Sequence, residues 1–225
     1  MSEEAVRKPA EQAEKQIIQN ILSGEYSTNT NLPAERQLAV ALGITRPTLR
    51  EVLQRLSRDG WLEIHHGRST RVRDFLTEGS LSVLKAVSET GNYDPRLLHS
   101  LQELRLLLAP VYTRLAIENN AADVHILVQS LAGLPEDAAG TALADWRLHY
   151  GLAVLSGNPI FALIWMDLQG FSENMMETVF ADPVVCQKIR TAYRMIGKAA
   201  RAEEPDAGEA IMRRALQESQ IESQP

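Results

Sequence analysis

The 225-residue chain has one cysteine, Cys186, which excludes an internal disulfide and fits a reducing compartment. No histidine is adjacent to it in sequence, and it reads as a small core residue rather than a nucleophile. No apolar run approaches the roughly 20 residues that span a bilayer. The opening stretch MSEEAVRKPAEQAEK puts acids ahead of any hydrophobic segment, unlike a secretory signal, so a cytoplasmic protein with no membrane attachment is expected. The chain also lacks a GxSxG elbow, a GxxxxGKS/T phosphate loop, a GxGxxG run and an HExxH pair, and these absences argue against an enzyme. Internal repeats and low-complexity tracts are missing as well.

What is present is concentrated near residue 40. Leu38, Ala41 and Leu42 place an apolar stripe on one short helix. Gly43 can supply the positive φ that ends it, and Thr45 can cap the next helix, whose first turn tolerates Pro47. In that second helix Leu49, Val52, Leu53 and Leu56 recur at i, i+3, i+4 and i+7 and must face a core. Arg46, Thr48 and Arg50 are left on the opposite side near the N-terminus, the end of a recognition helix that enters a major groove. Glu35, Glu51 and Asp59 are assigned structural pairings with Arg36, Arg55 or Arg58.

Residues 61–65 and 70–73 alternate like two short strands around His66-Gly67-Arg68-Ser69, a basic hairpin tip suited to phosphates or a minor groove. Residues 34–73 hold eight Lys and Arg against four Asp and Glu, about +4, whereas residues 79–225 hold twelve against eighteen, about −6. The basic footprint is therefore local. A winged helix can also serve as a protein-docking module, but here two separate elements carry basic groups, which favours DNA.

The runs LPAERQLA, TRPTLREVLQRLSRDGWL and HHGRSTRV resemble the winged-helix domain of the GntR family of bacterial regulators over residues 9–74. Within it the chain is similar to the fatty-acid-metabolism regulator branch, FadR, which Ser156-Gly157-Asn158-Pro159 also fits. The resemblance implies an acyl-CoA-responsive repressor and activator, and it implies operator contacts from Arg36, Thr45, Arg46, Arg50, His66 and Gly67, with Thr48 on the same face.

The expected fold is mostly α: an N-terminal winged helix-turn-helix with a small β-hairpin wing over residues 1–74, a linker over 75–80, and an all-helical bundle over 81–225. The first domain opens with a helix from Pro9, striped by Ala13, Ile17, Ile18, Ile21 and Leu22 and closed by Ser23-Gly24. In the bundle the periodicity predicts helices near 81–90, 95–119, 121–134, 140–156, 159–180, 184–203 and 206–222. Breakers such as Asn119-Asn120, Gly157-Asn158-Pro159 and Asp182-Pro183 separate them.

The family bundle often carries an Asp-x-x-x-His pair and two later histidines that hold a metal. Asp145 and His149 match the pair at i, i+4, but no histidine follows His149. Two readings stay open: a weak metal site, or an Asp–His hydrogen bond with no metal. Arg105, in the apolar run LQELRLLL, is the candidate polar anchor for an effector, or else an ion-pair partner of Glu103 or of another helix. The resemblance implies a ligand role for an arginine at this point and for Ser219, while Ser223 stands where the branch has a tryptophan. Phe161, Ile164, Trp165, Leu168 and Phe171 are read as a tunnel wall or as ordinary core, and Met166, Met175 and Met176 as deformable packing.

The expected function is a homodimeric, cofactor-free regulator that binds double-stranded palindromic operator DNA and is released by long-chain acyl-CoA. The alternative keeps the DNA and replaces the effector with a small metabolic carboxylate, metal-assisted at Asp145 and His149.

Overall fold

The computed structural model describes residues 3–219 except His66, Arg68 and residues 91–93, with side chains described from Pro9 onward. The chain divides into two compact units, Met1–Thr90 and Gly91–Pro225.

In the first unit α1 (Glu3–Leu22) packs on α3 (Arg46–Asp59), and α2 (Glu35–Ala41) packs on α3 across a tight turn. The turn has the predicted chemistry. Gly43 takes φ +65°, and the Thr45 side chain accepts a hydrogen bond from the Thr48 amide with Pro47 in the first turn. Leu49, Val52, Leu53 and Leu56 are buried against Ala13, Ile17 and Ile21 of α1 and Leu38 of α2. Two local details differ from expectation. Helix α1 begins six residues before Pro9, in a stretch rich in helix-forming Glu, Ala, Arg and Lys. On α2, Ala39 is buried and Ala41 exposed. Both lie within 100° of Leu38 or Leu42 around the helix, and the side on which α3 packs selects Ala39.

Strands β1 (Leu62–Glu63) and β2 (Arg71–Val72) form the antiparallel wing, with Leu62 opposite Val72 and Glu63 opposite Arg71. They are shorter than the alternation suggested, and Asn31 adds a bridge to Arg71. The stretch read as a short linker, 75–80, contains a four-residue helix, α4 (Phe75–Glu78), and α5 (Ser82–Glu89) follows. Helix α4 is tied back to the wing. Phe75 packs on Trp61 at 4.8 Å between ring centroids, and Arg71 donates to both Glu63, at 2.7 Å, and Glu78, at 2.5 Å.

The second unit is all helical among its described residues, as expected. Helix α6 (Pro95–Ser130) packs against α7 (Ala138–Leu155), α10 (Pro183–Arg201) and α11 (Pro205–Glu218), while α8 (Pro159–Asp167) and α9 (Gln169–Val179) cover α7. Helices α6, α8 and α10 open with the same device: Asp94-Pro95, Asn158-Pro159 and Asp182-Pro183 each put a capping side chain on an amide two residues ahead and a proline at the first helical position. The expected break at Asn119-Asn120 is a kink inside α6, where Asn120 adopts φ −149°, ψ 49°. Both asparagines turn their amides onto the end of α7, Asn119 donating to the Ser156 carbonyl at 2.9 Å and Asn120 to that of Leu155 at 2.8 Å. The single helix expected over 159–180 is two, parted at Leu168 with φ −86°, ψ 0°.

Candidate nucleic-acid interface and effector pocket

Arg36, Arg46, Arg50 and Gly67 line one cleft of about 1230 Å³ in the first unit, bounded by α2, α3 and the wing. The fold converges them because α2 delivers Arg36 beside the N-terminal turns of α3, and the hairpin folds Gly67 back toward both. Gly67 takes φ +72° at the wing tip. His66, beside it, lies outside the described residues. Thr45 and Thr48 serve the helix start: their hydroxyls are 2.9 Å apart, and Thr45 Oγ1 caps the Thr48 amide.

The acids pair differently from the sequence reading. Glu35 holds Arg50 at 2.9 Å and approaches Arg46 at 3.9 Å, instead of its neighbour Arg36. Arg55 pairs with Glu14 of α1 at 2.8 Å rather than with Glu51. Arg71 is occupied by Glu63, Glu78 and Asn29, and their hydrogen bonds hold both carboxyl groups below the usual range. It braces the wing.

In the second unit Arg105 is 2% exposed on α6, while Asp145 and His149 on α7 are fully buried. Arg105 Nη2 donates to Asp145 Oδ1 at 2.5 Å and to His149 Nε2 at 2.9 Å. That donation into Nε2 assigns the imidazole proton to Nδ1, which faces the Tyr112 hydroxyl. Tyr193 of α10 donates its hydroxyl to Asp145 Oδ1. Trp165 stacks on His149 with centroids 4.8 Å apart. Burial pushes the Asp145 pKa up, but the Arg105 charge overrides it and holds the carboxyl well below its ordinary value. Burial, reinforced by Arg105, pushes His149 down and keeps it neutral. Burial raises both tyrosines, which therefore stay protonated.

This geometry joins the two open readings. Arg105 pairs with another helix, as one reading had it, and its partner is the Asp145–His149 pair that the other considered for a metal. A cation does not fit there, because a guanidinium nitrogen already lies between the carboxylate oxygen and the imidazole nitrogen. Among the described residues no group of three or more His, Cys, Asp and Glu side chains comes together to hold a metal. Arg105 Nε and Nη1, Asp145 Oδ2 and Gln102 Oε1 are buried without a partner, which leaves unspent polar capacity in the bundle.

Ser219 ends α11, and its backbone carbonyl accepts from Gln102, one turn before Arg105 on α6, at 3.4 Å. It borders a groove of about 630 Å³ between α10 and α11, lined by Val184, Ile189, Met195 and Ile211 with Lys188 and Arg214 at its edge. Arg105 does not line this groove; Gln102 links the two. Trp165, Leu168 and Phe171 are buried, and Phe161 and Ile164 half-buried, on two helices rather than one. Met175 and Met176 are core, while Met166 is exposed. Cys186 is buried, its sulfur 3.0 Å from Thr141 Oγ1. The sequence reading missed Tyr112 and Tyr193. Tyr112 lies two turns after Arg105 on the same helix face, a spacing that was available in the sequence.

Residues 9–72 match the bacterial regulatory proteins of the gntR family, and residues 73–222 match the FadR C-terminal domain. The chain belongs to the GntR family, in the branch that carries this second domain. It is 37% identical to the fatty acid metabolism regulator protein of Serratia proteamaculans (strain 568), covering 78% of this chain and 74% of that one. The protein of that name from Shewanella frigidimarina (strain NCIMB 400) is 35% identical, covering 91% of this chain and 86% of that one. In fold the chain is similar to solved Lar, which controls expression of the Listeria monocytogenes agr system, with TM-score 0.63 at 15% identity over 93% of this chain and 94% of that one. GntR members are DNA-binding transcription regulators, not enzymes. Among the described residues no helix is long and apolar enough to cross a membrane.

Proposed function

We propose that this GntR-family regulator of fatty-acid metabolism binds a palindromic operator as a homodimer and is released by long-chain acyl-CoA bound in its helical unit. It acts in the cytoplasm and needs no cofactor. The observation that carries the DNA half is the cleft that gathers Arg36, Arg46 and Arg50 on two helices beside the wing Gly67, with His66 next to it in sequence. Arg46 and Arg50 stand one turn apart and more than half exposed at the start of α3, where a recognition helix meets base edges. Thr45, Thr48 and Arg36 place the helix start against the backbone. Two such heads match half-sites about one helical turn apart.

The effector half rests on Arg105 and Ser219. An acyl chain suits the apolar α10–α11 groove bordered by Ser219, and the unpartnered donors of Arg105 behind Gln102 suit a carbonyl oxygen. Ligand lowers operator affinity only if it binds the DNA-incompetent arrangement more tightly. A preference of about 3 kcal/mol gives on the order of a hundredfold release.

The test is fluorescence anisotropy of a labelled palindromic duplex, at fixed salt, with long-chain acyl-CoA, free CoA or the free fatty acid. Release by acyl-CoA alone supports both halves. Tight binding that acyl-CoA leaves untouched removes the effector and keeps the DNA.

A further inference from the structure

Among the described residues that line the α2–α3–wing cleft, Glu35 is the sole carboxylate. It sits in the first turn of α2, about one-third exposed, and its Oε2 atom is shared by two arginines of α3. Arg50 Nε donates to it at 2.9 Å, and Arg46 Nη2 lies 3.9 Å away. An acid in a cleft that faces a polyanion weakens every phosphate contact around it. Such a residue is useful only if what it does to the arginines outweighs that loss.

Its geometry supplies the compensation. Arg46 and Arg50 are long, exposed side chains, and free in solution each samples many rotamers. A carboxylate on a neighbouring helix fixes the Arg50 fork by a hydrogen bond and draws Arg46 toward the same point by charge, while Arg50 Nη1 and Nη2 stay free of it. It also cancels one positive charge, so the surface attracts DNA backbone in general less strongly. We infer that Glu35 is a specificity-determining residue: it positions Arg46 and Arg50 for base edges and suppresses binding to DNA of the wrong sequence. The inference rests on the reading that those two arginines face the operator.

Glu35→Gln and Glu35→Ala separate this role from a structural one. The probes are the duplex that the wild-type protein selects from a random pool and a scrambled duplex of equal length, each titrated by anisotropy over a series of salt concentrations. Both variants should bind the scrambled duplex about three- to tenfold more tightly, with a salt dependence steeper by about one counterion. The ratio of selected to scrambled affinity should fall about tenfold. A residue that merely props up α2 would weaken both duplexes together, and that result overturns the inference, as does a ratio unchanged within about twofold in both variants. Arg46→Ala and Arg50→Ala are measured alongside. If neither weakens the selected duplex, the underlying reading falls and takes the inference with it. If they do weaken it while the Glu35 ratio holds, the inference alone falls.

Discussion

Replacing Arg105 with leucine tests the buried cluster most directly. The change would leave Asp145 with no exposure and with the Tyr193 hydroxyl as its remaining strong donor. Removing one member of a buried ion pair costs about 3–5 kcal/mol, because the surviving charge is uncompensated. Asp145→Leu should cost a similar amount, since Arg105 would keep only His149 Nε2 as a partner. The double variant Arg105→Leu/Asp145→Leu buries no charge. It leaves the Tyr193 hydroxyl and His149 Nε2 unpaired, a loss of about 1–3 kcal/mol each. With the middle of each range the two single losses sum to about 8 kcal/mol and the double loss is about 4, so the coupling between the two sites should be about 4 kcal/mol.

Equilibrium unfolding in urea, followed by tryptophan fluorescence, reads this out. Trp146 and Trp165 lie in the second unit and Trp61 in the first, so the signal is weighted toward the unit under test. The single variant carries a second signature. Without Arg105, burial dominates Asp145 and raises its carboxyl above the unfolded value, so the penalty is full at neutral pH and eases as pH falls and the group protonates. A coupling energy below about 1 kcal/mol, or an Arg105→Leu defect that grows on acidification, would refute the ion-pair account.

The second unit should lose stability as pH falls below the unfolded histidine value of 6.5, because neutral His149 is favoured only in the folded state; one proton accounts for up to about 1.4 kcal/mol per pH unit, and His149→Phe should flatten that slope in urea midpoints. Gly60→Ala should destabilise the first unit by at least about 2 kcal/mol in thermal melts, since Gly60 has φ +97° and a Cβ there would sit 2.7 Å from the Gly79 Cα. Arg46→Ala should weaken operator binding by about 1–3 kcal/mol in a salt-controlled titration, and unchanged affinity would remove it from the interface.

The features legible in the sequence are those set by neighbours along the chain. Gly43 and Thr45 define the helix-turn-helix because a positive φ and a cap are decided within three residues. Asn158-Pro159 and Asp182-Pro183 mark helix starts for the same reason. Asn119-Asn120 was read as a break, and the helix is interrupted there, with Asn120 at φ −149°, ψ 49° and both amides turned onto the end of α7. What escaped depends on partners far along the chain. Glu35 meets Arg50 fifteen residues away rather than the adjacent Arg36, because helix packing, not sequence proximity, decides which carboxylate meets which guanidinium. Arg105 was recognised as a costly buried cation, but its acceptors are forty or more residues distant on α7. The split at Leu168 carries no local signal in an apolar stretch where both flanking helices bury one side.

The donor count at Arg105 bears on which effector it can accept. A guanidinium has five N–H donors, and here Nη2 serves Asp145 and His149 while Nε and Nη1 have no partner. A ligand oxygen can accept from Nη1, or from Nε on the other side of the guanidinium, without breaking the ion pair, so binding need not expose the several kcal/mol that an orphaned Asp145 would cost. The charge of that oxygen then matters. Arg105 and Asp145 together are neutral, and a thioester carbonyl adds none. A free carboxylate about 5 Å from Asp145 is repelled by about 3 kcal/mol at an effective dielectric near 20, but the nearer Arg105 attracts it by at least about as much, so the pair's charges nearly cancel and the difference lies in desolvation. Taking an ionised carboxylate out of water costs several kcal/mol more than taking out a neutral carbonyl, and about 1.4 kcal/mol of that surviving in the complex gives about tenfold discrimination. Competition anisotropy with acyl-CoA and the free acid of the same chain length measures it. Equal potency of the two would place the carbonyl away from Arg105, whereas a preference for the thioester that disappears in Arg105→Leu/Asp145→Leu would tie it to this pair.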